Sequence, residues 1–229
     1  MNEIIEWMPR LLDGLKYTVT LTIFAFALSV VVALVIAAMR LNPNLRIIYI
    51  PATIYLEVFR GTPMLLQLFF AYFGLPSLGI NLSPMTAGVL TLGFCVGAYL
   101  SEVFRAAILA VDRGQWEASN ALAMSWWMTM RYTILPQATR IALPSTGNYA
   151  ISLFKDSALA STVSVVELLF SAQILAAETF QYIKIYSIVG VFYFLVCYPT
   201  SIAMRRLERT LDITRKRSTP HVPVAASTS

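Results

Sequence analysis

The sequence predicts an all-α integral membrane protein with five transmembrane helices and one long cytoplasmic helix-turn-helix loop. Three observations predict it. Hydrophobic residues make up 58% of the 229 and charged residues only 13%, where a soluble domain carries roughly 25% charge. The apolar residues are gathered in uncharged runs, several of them of the length a helix needs to cross a bilayer. Between the third and fourth predicted spans stands DRGQWEASNALAMSWWMTMRYTILPQ (Asp112–Gln137), an amphipathic stretch with three tryptophans.

The first span is Tyr17–Met39, uncharged throughout. It is too long for a signal-peptide core, and its leading flank (Glu3, Glu6, Arg10, Asp13, Lys16) is not basic, so it is a retained span behind an extracytoplasmic segment, residues 1–16. The uncharged run Gly61–Ser101 is too long for one crossing, and GLPSLGINLSP (Gly74–Pro84) punctuates it with turn residues. Two spans follow from it, about Ala52–Phe73 and Met85–Val111, with a distortion of the first at Gly61–Thr62–Pro63. A fourth span, residues 140–160, is interrupted by Lys155–Asp156, and Ile185–Met204 is a fifth.

Lys and Arg set the orientation. One set of connections holds Arg40, Arg46, Arg113, Arg131, Arg140 and the run from Arg205 to Arg217; the other holds Arg10, Lys16 and Lys184. The amino terminus is therefore expected outside and the carboxyl terminus in the cytoplasm, a parity that five spans satisfy. The net charge of +5 is then mostly a topology signal, and no nucleic-acid partner is expected. Residues 209–229 form a cytoplasmic tail, whose end Ser218–Ser229 is expected to be disordered.

In the amphipathic stretch, Asp112 predicts an N-cap, with Gln115 as a variant capping box and Val111 and Trp116 as a hydrophobic staple. A first helix is expected to run to about Ala123. Ser125 caps a second, Trp126–Leu135, which Pro136 is expected to stop. Periodicity leaves two uses open: an interfacial anchor with its tryptophans at headgroup depth, or a docking element for a cytoplasmic partner.

Charges within the spans carry the remaining signal. Glu57 and Arg60, and Glu102 and Arg105, sit three apart and share helix faces; they read as structural ion pairs or as part of an inner gate. Lys155 and Asp156 are costly at mid-membrane and point about 100° apart on a helix. With Asn148, Ser152, Ser157 and Thr62 they mark either a translocation pathway or a pairing at a subunit interface.

Several functions are disfavoured. The one histidine, His221, lies in the polar tail, and Cys95 and Cys197 fall in apolar runs, so neither a metal site, a disulfide framework nor a catalytic residue is expected. No GxxxxGK[ST] occurs, so any ATP-driven work needs another chain. An ion-coupled secondary transporter of small solutes is the alternative function, but the sequence has no internal repeat and leaves the long loop without a purpose.

GQWEASNALAMSWWMTMRYTILPQATRIALP resembles the "EAA" coupling loop of permease subunits of ABC importers. VFRGTPMLLQLFFAYFGLP (Val58–Pro76), GAYLSEVFRAAILAVDRGQWEA (Gly97–Ala118) and SLFKDSALASTVSVVEL (Ser152–Leu168) resemble the polar amino-acid branch of that family, with a pattern closest to cystine and related permeases. The resemblance implies a type I importer fold in a bacterial inner membrane. It implies two ATPase subunits holding Mg-ATP, with no cofactor on this chain. It also implies a second permease copy, identical or related, an extracytoplasmic solute-binding protein, and a polar amino acid moved by alternating access. ATPase docking would fall to Gly114, Glu117, Ala118, Ala121, Ala123, Ile134, Leu135 and Pro136. Two positions depart from the family: Ser119 stands for its second alanine, and Ala123, an alanine that resists positive φ, stands for a glycine.

Overall fold

The computed structural model describes residues 2–211, and helices α1 to α9 account for about three quarters of them. Three are long and apolar enough to cross a membrane alone: α1 (Asn2–Met39), α4 (Pro84–Leu109) and α9 (Tyr182–Leu211). Two bent pairs bring the total to as many as five crossings. The tail beyond Leu211, including Ser218–Ser229, lies outside the described residues.

The seam between α1 and α4 is the spine of the molecule. On α1, Thr18, Leu21, Ala25, Ser29, Ala33 and Ala37 recur at spacings of three and four, and all are buried. Opposite them α4 supplies Gly88, Gly93 and Gly97. A side-chain carbon at Gly93 would stand 2.7 Å from Leu28 Cδ2 and 3.1 Å from the Ala25 carbonyl; at Gly97 it would stand 2.9 Å from Val32 Cγ1. Lipid tails are as apolar as leucine, so helices in a membrane associate through close packing, which small residues permit. The register (Leu21 on Gly88, Leu28 on Gly93, Val32 on Gly97) makes the two helices parallel.

The return between them is not a straight span. α2 (Arg46–Gly61) and α3 (Met64–Phe69) meet at 105°. Pro63 bars Thr62 from the helical region, and Thr62 is extended at φ −119°, ψ 147°. Gln67 Nε2 then donates to the carbonyls of Phe59 (3.0 Å) and Thr62 (3.1 Å), which the break leaves without helical partners. The expected distortion at Thr62–Pro63 is thus a near right angle, so 52–73 is not one continuous helix. Turns over Phe70–Gly74 and Leu75–Leu78 extend α3. Tyr55 Oη donates to the Phe94 carbonyl, tying α2 to α4.

After α4 come α5 (Arg113–Ala121), α6 (Trp126–Met128) and α7 (Leu135–Asp156), which a 3₁₀ turn prolongs over Ser157–Val163. α8 (Leu168–Thr179) has no counterpart in the sequence reading. Its Leu168, Ala172, Leu175 and Ala176 pack with Trp7 and Leu11 of α1 and Ile185 and Val189 of α9. Glu167, fully buried, caps it: its carboxylate accepts from the N–H groups of Leu169 (2.9 Å) and Phe170 (2.7 Å) and from the hydroxyls of Thr18 and Tyr193. The leading segment is part of α1, helical from Asn2, and its Trp7 and Leu11 are buried against α8 and α9. Arg10–Glu178 and Lys184–Glu3 are exposed ion pairs at the same end, and such pairs contribute little.

Candidate docking loop and polar helix face

The loop begins as its caps dictate. Asp112 Oδ1 accepts from Gly114 N–H (2.8 Å), and Val111 and Trp116 join one apolar cluster, as a staple requires. Gln115 does not reach back to close a capping box; its Oε1 instead accepts from Gln137 Nε2 (3.1 Å), across the two arms. α5 ends in a Schellman turn. Met124 N–H donates to the Ser119 carbonyl and Ala123 N–H to that of Asn120, with Ala123 at φ +54°. The left-handed turn is made without glycine, at a cost of about 1 kcal/mol.

Ser125 caps α6 through Met128 N–H (3.3 Å). Pro136 does not stop that helix. A wide turn over Thr129–Ile134, in which Leu135 N–H reaches the Met130 carbonyl, resets the hydrogen-bond ladder, so Pro136 falls in the first turn of α7, where a missing N–H is tolerated. The second arm therefore runs directly into the fourth span.

Gly114, Glu117, Ala118 and Ala121 form one exposed face of α5, at spacings of three, four and seven. Three small residues leave the Glu117 carboxylate standing proud. Ala123, Leu135 and Pro136 are also exposed. Ile134 is fully buried, with Met130, Ala138, Ala142 and Trp116 against Leu41, Val103, Phe104, Ala107, Ile108 and Val111, so it anchors the loop and presents no surface. Ser119 is buried too, donating to the Gln115 carbonyl (2.8 Å) and hydrogen-bonded through its oxygen to the Thr133 hydroxyl (3.3 Å). Where the family has alanine, this serine latches the two arms. The loop also exposes Leu122, Trp126, Trp127 and Tyr132.

The charges in the helices sort into two groups. Glu102 pairs with Arg105 (3.3 Å), and a third partner not anticipated from sequence, Arg40 at the end of α1, pairs with the same carboxylate. Arg40 also lies over the Tyr49 ring. This group abuts the loop cluster, since Val103 and Phe104 lie between its members. Glu57 and Arg60 do not pair. The Arg60 guanidinium lies 5.5 Å from the Tyr99 ring centroid, Tyr99 stacks on Tyr149 of α7 at 6.1 Å, and Glu57 is exposed beside Thr53 and Ile54. A planar cation over an aromatic face gains without a carboxylate, which is why spacing alone misled here.

On α7, Asn148, Ser152 and Lys155 share one face at spacings of four and three. Asn148 and Lys155 are exposed, and Asp156 is partly buried. Lys155 and Asp156 form no ion pair with each other among the described residues. Ser157 is buried and donates to the Phe154 carbonyl (2.8 Å), so its hydroxyl serves the helix end and is turned from the polar face.

A bundle of this topology, with a helix-turn-helix loop between its third and fourth crossings, is that of an ABC transporter permease. The family described as "Binding-protein-dependent transport system inner membrane component" matches residues 29–213, and the chain belongs to it. The probable amino-acid ABC transporter permease protein YckA of Bacillus subtilis (strain 168) is 37% identical over 90% of each chain. The L-cystine transport system permease protein TcyB of the same organism is 38% identical over 90% of this chain and 88% of its own. Among solved structures, an amino acid ABC transporter crystallised with histidines superposes with a TM-score of 0.86 at 38% identity, covering 91% of this chain and 97% of that one. The protein is thus a transport subunit of the inner membrane and not an enzyme.

Proposed function

We propose that this permease moves a polar amino acid inward by alternating access, driven by ATP hydrolysed on a separate subunit that holds the Mg-ATP. The observation that carries the reading is the exposed α5 face of Gly114, Glu117, Ala118 and Ala121, on a loop locked to the fourth span. Two ATPase subunits would seat one such face each, with a second permease copy, identical or related, beside this one. Because the second arm continues into α7, a displacement of the face moves α7 as a lever. The cluster of Trp116, Met130 and Ile134 passes the same displacement to the end of α4, beside Glu102 and Arg105.

The polar face of α7 supports a role as pathway. An exposed lysine facing lipid costs about 2.5–3.5 kcal/mol, so Lys155 needs a cavity or a partner chain. An amino acid carries both charges. Lys155 and Arg60 would meet its carboxylate, Asp156 and Glu57 its ammonium, and Asn148 its polar side chain, whereas the Thr62 hydroxyl is engaged at the helix break, donating to the Val58 carbonyl (2.8 Å) and accepting from Gln67 Nε2 (2.9 Å). A solute-binding protein would deliver it at the end formed by α8 and the first turns of α1 and α9, with the amino terminus outside and the carboxyl terminus in the cytoplasm.

Purification of the tagged chain from its own host in mild detergent, with mass spectrometry of what accompanies it, tests the reading. An ATPase, alone or with a related permease, is the expected result. A lone protein, reproducible across detergents, would contradict it and favour ion-gradient coupling.

A further inference from the structure

The two ends of α9 are buried unequally. Its buried side chains are Ile185 and Val189, both in its first third, packed against α1 and α8. Its last third contributes no buried side chain. Toward that end Met204 lies against Gly147 of α7. A side-chain carbon at 147 would collide with Met204 Sδ and stand 2.9 Å from its Cγ. Gly147 adjoins Asn148, so this contact bears on the polar face of α7.

Immediately after Met204 come Arg205, Arg206 and Arg209, all exposed. Arg209 is four residues from Arg205 and three from Arg206, so the three guanidinium groups share one side of the helix. Among the described residues none of them is in an ion pair. Their depth follows from helix geometry. The uncharged stretch Ile185–Met204 spans about 30 Å at 1.5 Å per residue, which is the thickness of the hydrocarbon core. With that stretch in the core, Arg205 and Arg206 stand at the headgroup layer and Arg209 one turn beyond.

We propose that Arg205, Arg206 and Arg209 form a binding surface for anionic phospholipid headgroups, and that this binding seats the end of α9 against α7 at the Gly147–Met204 contact. Guanidinium groups match phosphate in bidentate geometry. Anionic headgroups add a restraint at this end of α9, where Met204 and Leu207 are only partly buried. The arginines then do more than orient the chain during insertion: they make the position of α9 on α7 depend on lipid charge.

The test uses the full chain with its co-purifying subunits, reconstituted in vesicles of phosphatidylcholine alone or of equal parts phosphatidylcholine and phosphatidylglycerol. The first readout is the motionally restricted fraction of spin-labelled phosphatidylglycerol relative to spin-labelled phosphatidylcholine. The wild type should prefer the anionic lipid severalfold, and R205Q/R206Q/R209Q should lose about fivefold or more of that preference. High salt should weaken the wild-type preference, and R205K/R206K/R209K should keep it. Arg215, Lys216 and Arg217 remain in every variant to preserve the topology signal.

The second readout is disulfide formation between Gly147→Cys and Met204→Cys in a chain with Cys95 and Cys197 replaced by alanine. Its yield should rise severalfold with phosphatidylglycerol. A preference that survives the triple glutamine variant, or a cross-link indifferent to lipid charge, would overturn the proposal. So would loss of a co-purifying subunit in the glutamine variant with lipid preference intact, which would assign the patch to a protein partner.

Discussion

The Arg40–Glu102–Arg105 group and the Asn148–Ser152–Lys155 face are both polar sets in an apolar bundle, yet they are built on opposite terms. In the first, three charged side chains from α1 and α4 close on one another, and Arg40 keeps only 10% of its side-chain exposure. In the second, the side chains line one helix and its lysine has no ion-pair partner among the described residues. A closed group holds helices together. An open one leaves its hydrogen-bonding capacity for something that arrives, either a substrate or a facing copy. The difference separates what ties the bundle from what it offers.

Removing one member of the closed group should have the largest effect on the fold. Glu102→Ala leaves Arg40 buried beside Arg105 without a counter-charge, and should cost about 3 kcal/mol, read as a lower unfolding temperature in detergent. Arg40→Met with Glu102→Leu should recover part of it, because the more buried pair leaves together while Arg105, left without a counter-charge, keeps access to water. In the open group the split should reverse. Lys155→Ala should leave membrane level and unfolding temperature unchanged while uptake falls about ten- to a hundredfold, the worth of a hydrogen bond to a charged group. A parallel loss of folded protein would move Lys155 into the closed class.

Arg60 tests the boundary between the groups. Arg60→Ala removes a cation over Tyr99 and should cost only about 0.5–2 kcal/mol of stability, with uptake falling further than that cost explains. The smallest expected effect lies in the loop. Ala123→Gly relieves a left-handed alanine and should stabilise by about 1 kcal/mol, with uptake unchanged or slightly raised.

Much of this arrangement was legible because its causes are local. Asp112 and Ser125 cap as their side chains dictate, Pro63 breaks the chain at the residue before it, and the left-handed turn falls on Ala123. The losses were of two kinds. Some features depend on residues far apart in the chain: Arg40 meets Glu102 only because α1 and α4 run parallel, and α8 is stable only against Trp7 and Leu11. Twelve residues are too few for a span, so α8 gave no signal of its own. Others depend on which of two local rules prevails. Pro136 was expected to end a helix, but a wide turn just before it makes it an opening residue. Glu57 and Arg60 had the spacing of a pair, but Tyr99 offered Arg60 a different partner. The glycines of α4 gave no reading in the sequence; their meaning emerged only with Leu28 opposite Gly93 and Val32 opposite Gly97.

The central claim is that the exposed face of α5 receives the force that drives transport. The most direct measurement is ATP-dependent uptake of a polar amino acid into proteoliposomes holding the purified complex and no ion gradient, with Glu117→Lys compared against wild type. Glu117 is exposed and in no ion pair among the described residues, so the variant should insert and fold normally. The account predicts uptake that requires ATP in the wild type and falls about tenfold or more in the variant, the loss of one charge-assisted contact. Uptake that proceeds equally in both, or that needs an ion gradient and no ATP, would contradict it.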